Sequence, residues 1–440
     1  MTTRVHLIGI CGSGMSSLAL WYQSRGFEVS GCDRNPGENL PELLSAGIDV
    51  AGMHDPAHIE NADMVVFSAA IPSDHPEIRR ARQKGISVFR RSEALAELAN
   101  TPQLMAVSGA HGKTTTTAMT GWILQKAGFD PTVMLGGAVS AWGGNFRSGS
   151  MLTVIEADEY DRTFLRLRPR SAAVTSFAIE HLECYGTAEA LSVAFGVFLE
   201  MTLPGGTAVV PFTNRDLAKW AGRIDRKIVT TGMNGSVFCR LIEADQWRQK
   251  YTIDGIEGML PLPGHHNLRN AETAIALAST AGVSTNDSVR ALESFPGVSR
   301  RLERIGTYGS STVISDYAHH PDEIDAALQA ISQLSDGRIG VVFQPHLYSR
   351  TASQSEDMGR ALSRADWALL LPIYPAREKP VPGVTSSLVV DAAIRAGISS
   401  ELCMPVDLEK KLGMRKAEII VFMGAGTVDA YARELVKASE

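Results

Sequence analysis

Gly109, Ala110, His111, Gly112, Lys113, Thr114 and Thr115 stand in a row, and residues of these types at this spacing handle phosphate. Gly109 and Gly112 have no Cβ to keep backbone N–H groups away from an anion. Lys113 brings a point charge to the outer phosphates, and Thr114 offers a hydroxyl to magnesium. The compact pattern G-x-x-G-K-T-T is not a full Walker A loop, because Val107 stands where that loop has its first glycine. Downstream, Glu156, Asp158, Glu159 and Asp161 follow an apolar run. Four acids this close repel one another unless a cation intervenes, and oxygen-ligated Mg2+ is the natural candidate. His181, between Glu180 and Glu183, becomes a further candidate ligand beside this second group of acids. Near the carboxyl end, Asp316, Tyr317, His319 and His320 form one polar group, and His346 and Arg350 form another.

The elements that must position these residues read as alternating strands and helices. Leu104 to Val107 predicts a buried strand. Ala118, Met119, Trp122 and Ile123 then recur at helical spacing until Gly128, so the phosphate-handling residues fall on a strand-to-helix corner. Arg4 to Asp33 reads as strand, glycine corner, helix and second strand, with Gly9, Gly12 and Gly14 able to approach a diphosphate and Asp33 placed for a ribose or base hydrogen bond. Strands are also predicted at 63–72, 86–91, 152–155, 171–177 and 207–212, with Asn214 and Asp216 in a following turn. Leu135 to Val139 and Gly143 to Phe146 read as loops able to reach a ligand. Asn267 and Asn270 open a helix, where an amide either caps the helix or bonds an adenine edge. Residues 299–306 read as a linker whose arginine could reach a γ-phosphate, and four more strands follow, each ending in polar or glycine residues. The expected fold is α/β in three domains: residues 1–100 Rossmann-like, 101–298 a P-loop ATPase-type, mostly parallel sheet, and 299–440 again Rossmann-like.

The 440 residues carry a formal charge of -6, which argues against nucleic acid as the main partner because phosphate neutralisation needs a basic face. Arg79, Arg80, Arg82, Lys84, Arg90 and Arg91 make a local basic cluster, read as a solvated helix face that could also steer a diphosphate. Five cysteines form no C-x-x-C pair, so neither a disulfide framework nor a zinc knuckle is indicated, and a reducing cytoplasm fits. No run reaches the roughly 18 apolar residues of a membrane span, and the first nine residues lack the apolar core of a signal peptide. The chain is expected to work away from membranes, as a monomer or weak homodimer.

Together these motifs resemble the Mur ligases across the whole chain. GICGSGM, from Gly9 to Met15, is similar to the family's GxGGxGM loop with Cys11 replacing a glycine, and implies UDP binding by Gly9, Cys11, Gly12, Ser13, Gly14, Met15, Asp33 and Ser68. GAHGKTTTT is similar to the family's phosphate loop, with Ala110 replacing threonine. EADEYDRTF and EHLECYG imply magnesium ligation by Glu156 and His181, alongside Thr114. GHHNLRNA implies adenine contacts from Asn267 and Asn270, and RRLE points to Arg301 as the hinge arginine. DYAHHPDEI and FQPHLYSRT resemble the alanine-adding branch, implying that Tyr317, His319, His346 and Arg350 hold L-alanine, with Leu347 replacing an arginine. Other branches carry a carbamylated lysine after the EHLECYG segment, and no lysine lies between Lys126 and Lys219 here. The implied activity uses ATP and Mg2+ to activate the lactyl carboxylate of UDP-N-acetylmuramate as an acyl phosphate that L-alanine then attacks. Lys113, His319 and Arg350 are the implied catalytic residues. A related ligase adding another amino acid or a tripeptide is the alternative.

Overall fold

The computed structural model describes residues 2–35, 37–178, 182–212, 220, 222, 224–245, 247–376 and 378–438. The chain divides into two compact units, one made of residues 1–240, 252–258 and 269–296, the other of 241–251, 259–268 and 297–440.

The first unit holds two sheets. Its amino-terminal sheet is all parallel and runs Asp49–Ala51, Glu28–Cys32, Arg4–Ile8, Met64–Phe67, Ser87–Arg90. The order reverses at Arg4–Ile8, so the glycine corner after this strand sits at the crevice where open α/β sheets bind ligands. The second sheet runs Lys227–Thr231, Thr207–Pro211, Ser171–Val174, Leu104–Ser108, Leu152–Glu156, Pro131–Val139, Gly144–Arg147, and only its last pair is antiparallel. Leu104–Ser108 lies at its centre with all five residues buried, as a strand covered on both faces requires. One apolar cluster runs through both sheets, with Trp21 and Phe146 rings 6.3 Å apart inside it.

The second unit is built on a six-stranded sheet, Glu303–Tyr308, Ser311–Asp316, Ile419–Met423, Ile339–Phe343, Trp367–Leu370, Ser399–Leu402, parallel except for its first strand. Its helices include Pro321–Ser332 and Tyr348–Leu362, whose first turns follow the polar groups at the ends of Ser311–Asp316 and Ile339–Phe343.

Three sequence expectations change. Residues 135–139 and 143–146 are not loops: they lie almost entirely in the antiparallel pair Pro131–Val139 and Gly144–Arg147. Their glycines disguise a strand, and the ladder tolerates Gly136 and Gly137 because its register shifts between Met134 and Val139. Residues 303–308 are an edge strand, with only the turn at 299–302 left as linker. The polar, mixed region between Asp216 and Leu262, given no elements by its pattern, contains the strands Lys227–Thr231, Arg240–Asp245, Arg248–Ile253 and Ile256–Leu260. Asn214 and Asp216 lie outside the described residues.

Asn145, 3% exposed, fastens the two sheets of the first unit by donating from Nδ2 to Ser13 O at 3.1 Å and Ser13 Oγ at 3.3 Å. Asn145→Ala removes both hydrogen bonds between the sheets and is expected to cost about 1–3 kcal/mol. A melting temperature within one degree of the parent would contradict this role.

Candidate active site

The strand-to-helix corner is built by its backbone. After Ser108 the chain turns through Gly109 at φ +131° and Gly112 at φ +83°, then enters the helix Lys113–Lys126. A Cβ on Gly109 would run into the hydroxyl of Thr175 and come within 2.8 Å of its amide, so the neighbouring strand end leaves room only for glycine. That same strand end shapes the turn. Ala110 N donates to Ser176 O at 3.1 Å, His111 N to Ser176 Oγ at 2.8 Å, and Thr175 Oγ1 donates to His111 O at 2.5 Å.

Lys113 folds back over the turn. Its ammonium donates to Gly109 O at 2.6 Å, Ala110 O at 3.0 Å and Glu159 Oε1 at 2.9 Å. Burial opposes the charge on Lys113, but the carboxylates of Glu159, Asp158 and Glu156 outweigh it and hold the ammonium above its ordinary range. Glu159 is 1% exposed, and Tyr185 OH fixes its backbone by donating to Glu159 O at 2.7 Å. Thr114 and Thr115 are buried in the first helical turn. Asn270 is buried beneath the corner, where Thr116 Oγ1 donates to its Oδ1 at 3.3 Å and a Cβ on Gly112 would strike it. Asn267 Nδ2 donates to Pro263 O at 2.8 Å, as a residue holding the start of its helix does.

Glu156 ends the strand beside the corner, in register with Val107, and its Oε2 accepts from Gly136 N at 2.8 Å. The carboxylate therefore lies one strand from Thr114's helix, an oxygen donor set suited to Mg2+. Glu180 and His181 lie outside the described residues, as do the side chains of Asp161 and Glu183.

In the amino-terminal sheet, Gly9 turns at φ +78° and Gly12 caps the helix Ser13–Ser24. Asp33 braces this loop, its Oδ2 accepting from Cys11 N at 3.0 Å and its Oδ1 from Asn35 N at 3.0 Å. Asn39 Nδ2 donates to Cys11 O at 2.8 Å. With both backbone groups of Cys11 engaged and burial raising its thiol to about 11, Cys11 acts in the structure as a fixed, neutral part of the loop. Met15 is 1% exposed and its amide is taken by Gly12 O at 2.8 Å, so it anchors the loop in the core. Ser68 lies under the turn, 3.2 Å from the position of a Cβ on Gly9. Ser13 Oγ donates to Gly136 O at 2.8 Å, so Gly136 touches this loop with its carbonyl and Glu156 with its amide. Arg91 supplies a cation that its place in the basic cluster did not single out: a Cβ on Gly14 would lie 2.6 Å from its Nη1. Arg80 and Lys84 pair locally with Glu60.

In the second unit, Tyr317, His319, His346 and Arg350 come together. The rings of Tyr317 and His319 are 5.4 Å apart, those of His319 and His346 5.5 Å, and His346 stacks on Tyr374 at 5.8 Å. His319 Nδ1 lies 3.0 Å from Tyr317 O; donating there leaves Nε2 as an acceptor. Burial, with the charge of Arg350 acting in the same direction, lowers His319 to about 3 and His346 to about 4, so both rings are neutral near pH 7. Arg350 Nη1 and His346 Nδ1 are buried with no hydrogen-bond partner, which equips the cluster for a ligand bearing a carboxylate. Leu347 turns at φ +69° to start the helix that carries Arg350. Arg301 lies over the Tyr317 ring at 5.1 Å. Its neighbour Arg300, which the pattern did not choose, ties the turn to Gly424 O at 2.8 Å and Gly426 O at 3.0 Å.

Three family models match in succession: the Mur ligase family catalytic domain over residues 4–102, the middle domain over 107–278 and the glutamate ligase domain over 300–426. The chain belongs to the Mur ligase family. A UDP-N-acetylmuramate–L-alanine ligase of Renibacterium salmoninarum is 39% identical to this Mur ligase over 436 residues, 97% of this chain and 93% of the relative. The UDP-N-acetylmuramate-alanine ligase of Thermotoga maritima superposes with a TM-score of 0.86 at 28% identity, covering 99% and 98% of the two chains. A murein peptide ligase of Psychrobacter arcticus, at 25% identity and the same coverage, superposes with a TM-score of 0.74.

The neutral histidines of this Mur ligase fix a sign. Their unfolded counterparts protonate near 6.5 while the folded ones resist to about 3 and 4, so stability falls as pH drops from 6.5 toward 4. Asp316, which burial raises to about 6, works the other way, stabilising at low pH and losing that effect as pH rises from 3.8 to 6. His319→Gln leaves Asp316 in place and is expected to flatten the acid limb of unfolding free energy against pH by up to about 1.4 kcal/mol per unit. An unchanged slope would contradict the assignment.

Proposed function

We propose that this Mur ligase joins L-alanine to the lactyl carboxylate of UDP-N-acetylmuramate, using ATP and forming ADP and phosphate. The observation that carries the reading is the Lys113 corner, an ammonium held over a glycine turn at the centre of a parallel sheet, with Glu156 on the adjacent strand. The names of the relatives support the choice of substrates, as does the higher TM-score of the alanine ligase over the peptide ligase.

A carboxylate does not acylate an amine in water because oxide is too poor a leaving group. One lactyl oxygen therefore attacks the γ-phosphorus and ADP departs with the electron pair of the broken P–O bond. L-alanine's amine next attacks the acyl carbon, phosphate leaves, and the nitrogen gives up a proton. Two anions must meet in the first step. Like unit charges about 4 Å apart repel by about 4 kcal/mol at an effective dielectric near 20, and the charge of Lys113 offsets that repulsion. Thr114 and Glu156 would hold Mg2+, which when bound supplies further positive charge to the phosphates. His181 completes this reading as a third candidate ligand.

Gly109 through Thr115 take the triphosphate in this reading, Asn267 and Asn270 the adenine side, and Arg301 the γ-phosphate. The loop from Gly9 to Gly14, with Asp33 and Ser68, takes the UDP moiety. Arg350 and His346 bind the carboxylate of L-alanine, Tyr317 bounds its pocket, and His319 Nε2 orients the ammonium by accepting a hydrogen bond from it or takes its proton. The domain limits at 100 and 298, work as a monomer or weak homodimer, and a cytoplasmic location where ATP and UDP-sugars are available belong to the same proposal. No described helix is long and apolar enough to cross a membrane.

Phosphate release with UDP-N-acetylmuramate and a panel of single amino acids and tripeptides tests the reading. Dependence on L-alanine is expected, whereas turnover only with a tripeptide would transfer the chain to the peptide-adding branch. Lys113→Ala is expected to lower kcat by about 10²–10³-fold, and full activity would remove Lys113 from the mechanism. Arg350→Ala is expected to raise the KM for L-alanine by at least about tenfold, with the KM for ATP little changed.

A further inference from the structure

Away from the candidate active site, six side chains with metal-binding atoms converge inside the amino-terminal sheet. Glu77, fully buried in the helix Pro76–Gln83, lies among His6, Cys32, His54, His58 and His75. Its Oε1 is 3.0 Å from His58 Nδ1, 3.3 Å from Cys32 Sγ and 4.0 Å from His6 Nε2. Its Oε2 is 3.5 Å from both His54 Nδ1 and His75 Nδ1. Asp55 N also donates to Oε1 at 3.1 Å, so the carboxylate has more neighbours than acceptor sites. His6 is 2% exposed, and its Nε2 has no hydrogen-bond partner because 4.0 Å is too long for one. Ser30 Oγ stands 3.0 Å from the other ring nitrogen of His6; with Nδ1 donating there, the Nε2 lone pair faces the cluster.

We propose that His6, Cys32, His58 and Glu77 form a structural zinc site. One ligand atom from each residue lies within 4.8 Å of all the others. Donors about 2.0–2.3 Å from a tetrahedral zinc are separated by roughly 3.3–3.6 Å, so a modest contraction closes the site. Two nitrogens, a sulfur and an oxygen favour zinc over magnesium or calcium, which take oxygen alone. The charges also balance. Binding displaces the Cys32 thiol proton, and thiolate plus carboxylate neutralise the dication, so no net charge stays buried. His54 Nδ1, 3.0 Å from Cys32 Sγ and 3.5 Å from Glu77 Oε2, and His75 Nδ1, 3.5 Å from the same oxygen, stand around the proposed ligands as outer groups. The site would tie Arg4–Ile8, Glu28–Cys32 and Pro76–Gln83 together directly below the first glycine loop, since Cys32 O accepts from Gly9 N at 2.8 Å. The ligands come from positions 6, 32, 58 and 77, so no local spacing announces them.

The test uses the full-length chain, stripped with a chelator and titrated with zinc alone against a chromophoric competitor. One zinc per chain at submicromolar affinity is expected, with a rise in melting temperature of roughly 5 °C at saturation. Cys32→Ser and His58→Gln should each weaken binding by more than about 100-fold. Because a ligand variant can fail to fold, the parent chain is also loaded with cobalt, whose absorption must include a thiolate charge-transfer band and the intense visible bands of a tetrahedral ion. Absence of stoichiometric zinc, a cobalt spectrum without the thiolate band, or folded variants that keep parental affinity would each overturn the site. These readouts do not depend on ligase activity, so their failure leaves the proposed function intact.

Discussion

The buried ion pair between Lys113 and Glu159 is the constraint on which the corner depends. A dry ammonium is tolerable only when every proton has an acceptor, and here two loop carbonyls and one carboxylate provide them. The arrangement keeps the lysine charged while it waits. In the proposed reaction it also sets an exchange: an incoming phosphate oxygen has to replace acceptors that hold the ammonium already, so the gain in binding is the difference between two well-solvated states. The surroundings serve the pair. Ser176 holds the turn from the next strand, and Tyr185 holds the backbone of Glu159.

Gly136 has a second organising role. Its carbonyl receives the Ser13 hydroxyl from the first glycine loop, and its amide donates to Glu156, the carboxylate suited to magnesium. A side chain there would press on Glu156, with a Cβ only 3.2 Å from Oε2. The two sheets of the first unit are therefore joined by polar contacts at the loops that the proposed reaction uses, in addition to their shared apolar core. In the second unit the polar cluster follows from strand ends in the same way, with Arg300 closing the turn beneath Tyr317.

What was legible in the chain was what lies close in sequence. The corner from Leu104 to Met119 is contiguous, so its glycines, lysine and helical period could be read directly, and the alternation of apolar strands with helices gave the parallel sheets. Pairings between distant segments were not legible. Glu159 stood among four acids that looked alike, and only the fold selects it as the partner of Lys113, 46 residues away. Arg300 and Arg301 are the same residue type side by side, and the backbone turn decides which of them reaches the carbonyls of Gly424 and Gly426. Gly136 was hidden because two glycines in a row imitate a loop, although a shifted ladder accommodates them. The histidines around Glu77 escaped for the same reason as Glu159, since two strands, the turn at Pro56–Ile59 and a helix must come together before they meet.

When a substrate carboxylate attacks the terminal phosphorus of ATP, one of its oxygens leaves with the phosphate once the amide forms. UDP-N-acetylmuramate labelled with oxygen-18 in the lactyl carboxylate should be turned over with L-alanine, and the released phosphate analysed by mass spectrometry. Transfer of one labelled oxygen into each phosphate is the outcome this account predicts. Phosphate released without label, while amide forms, would contradict it.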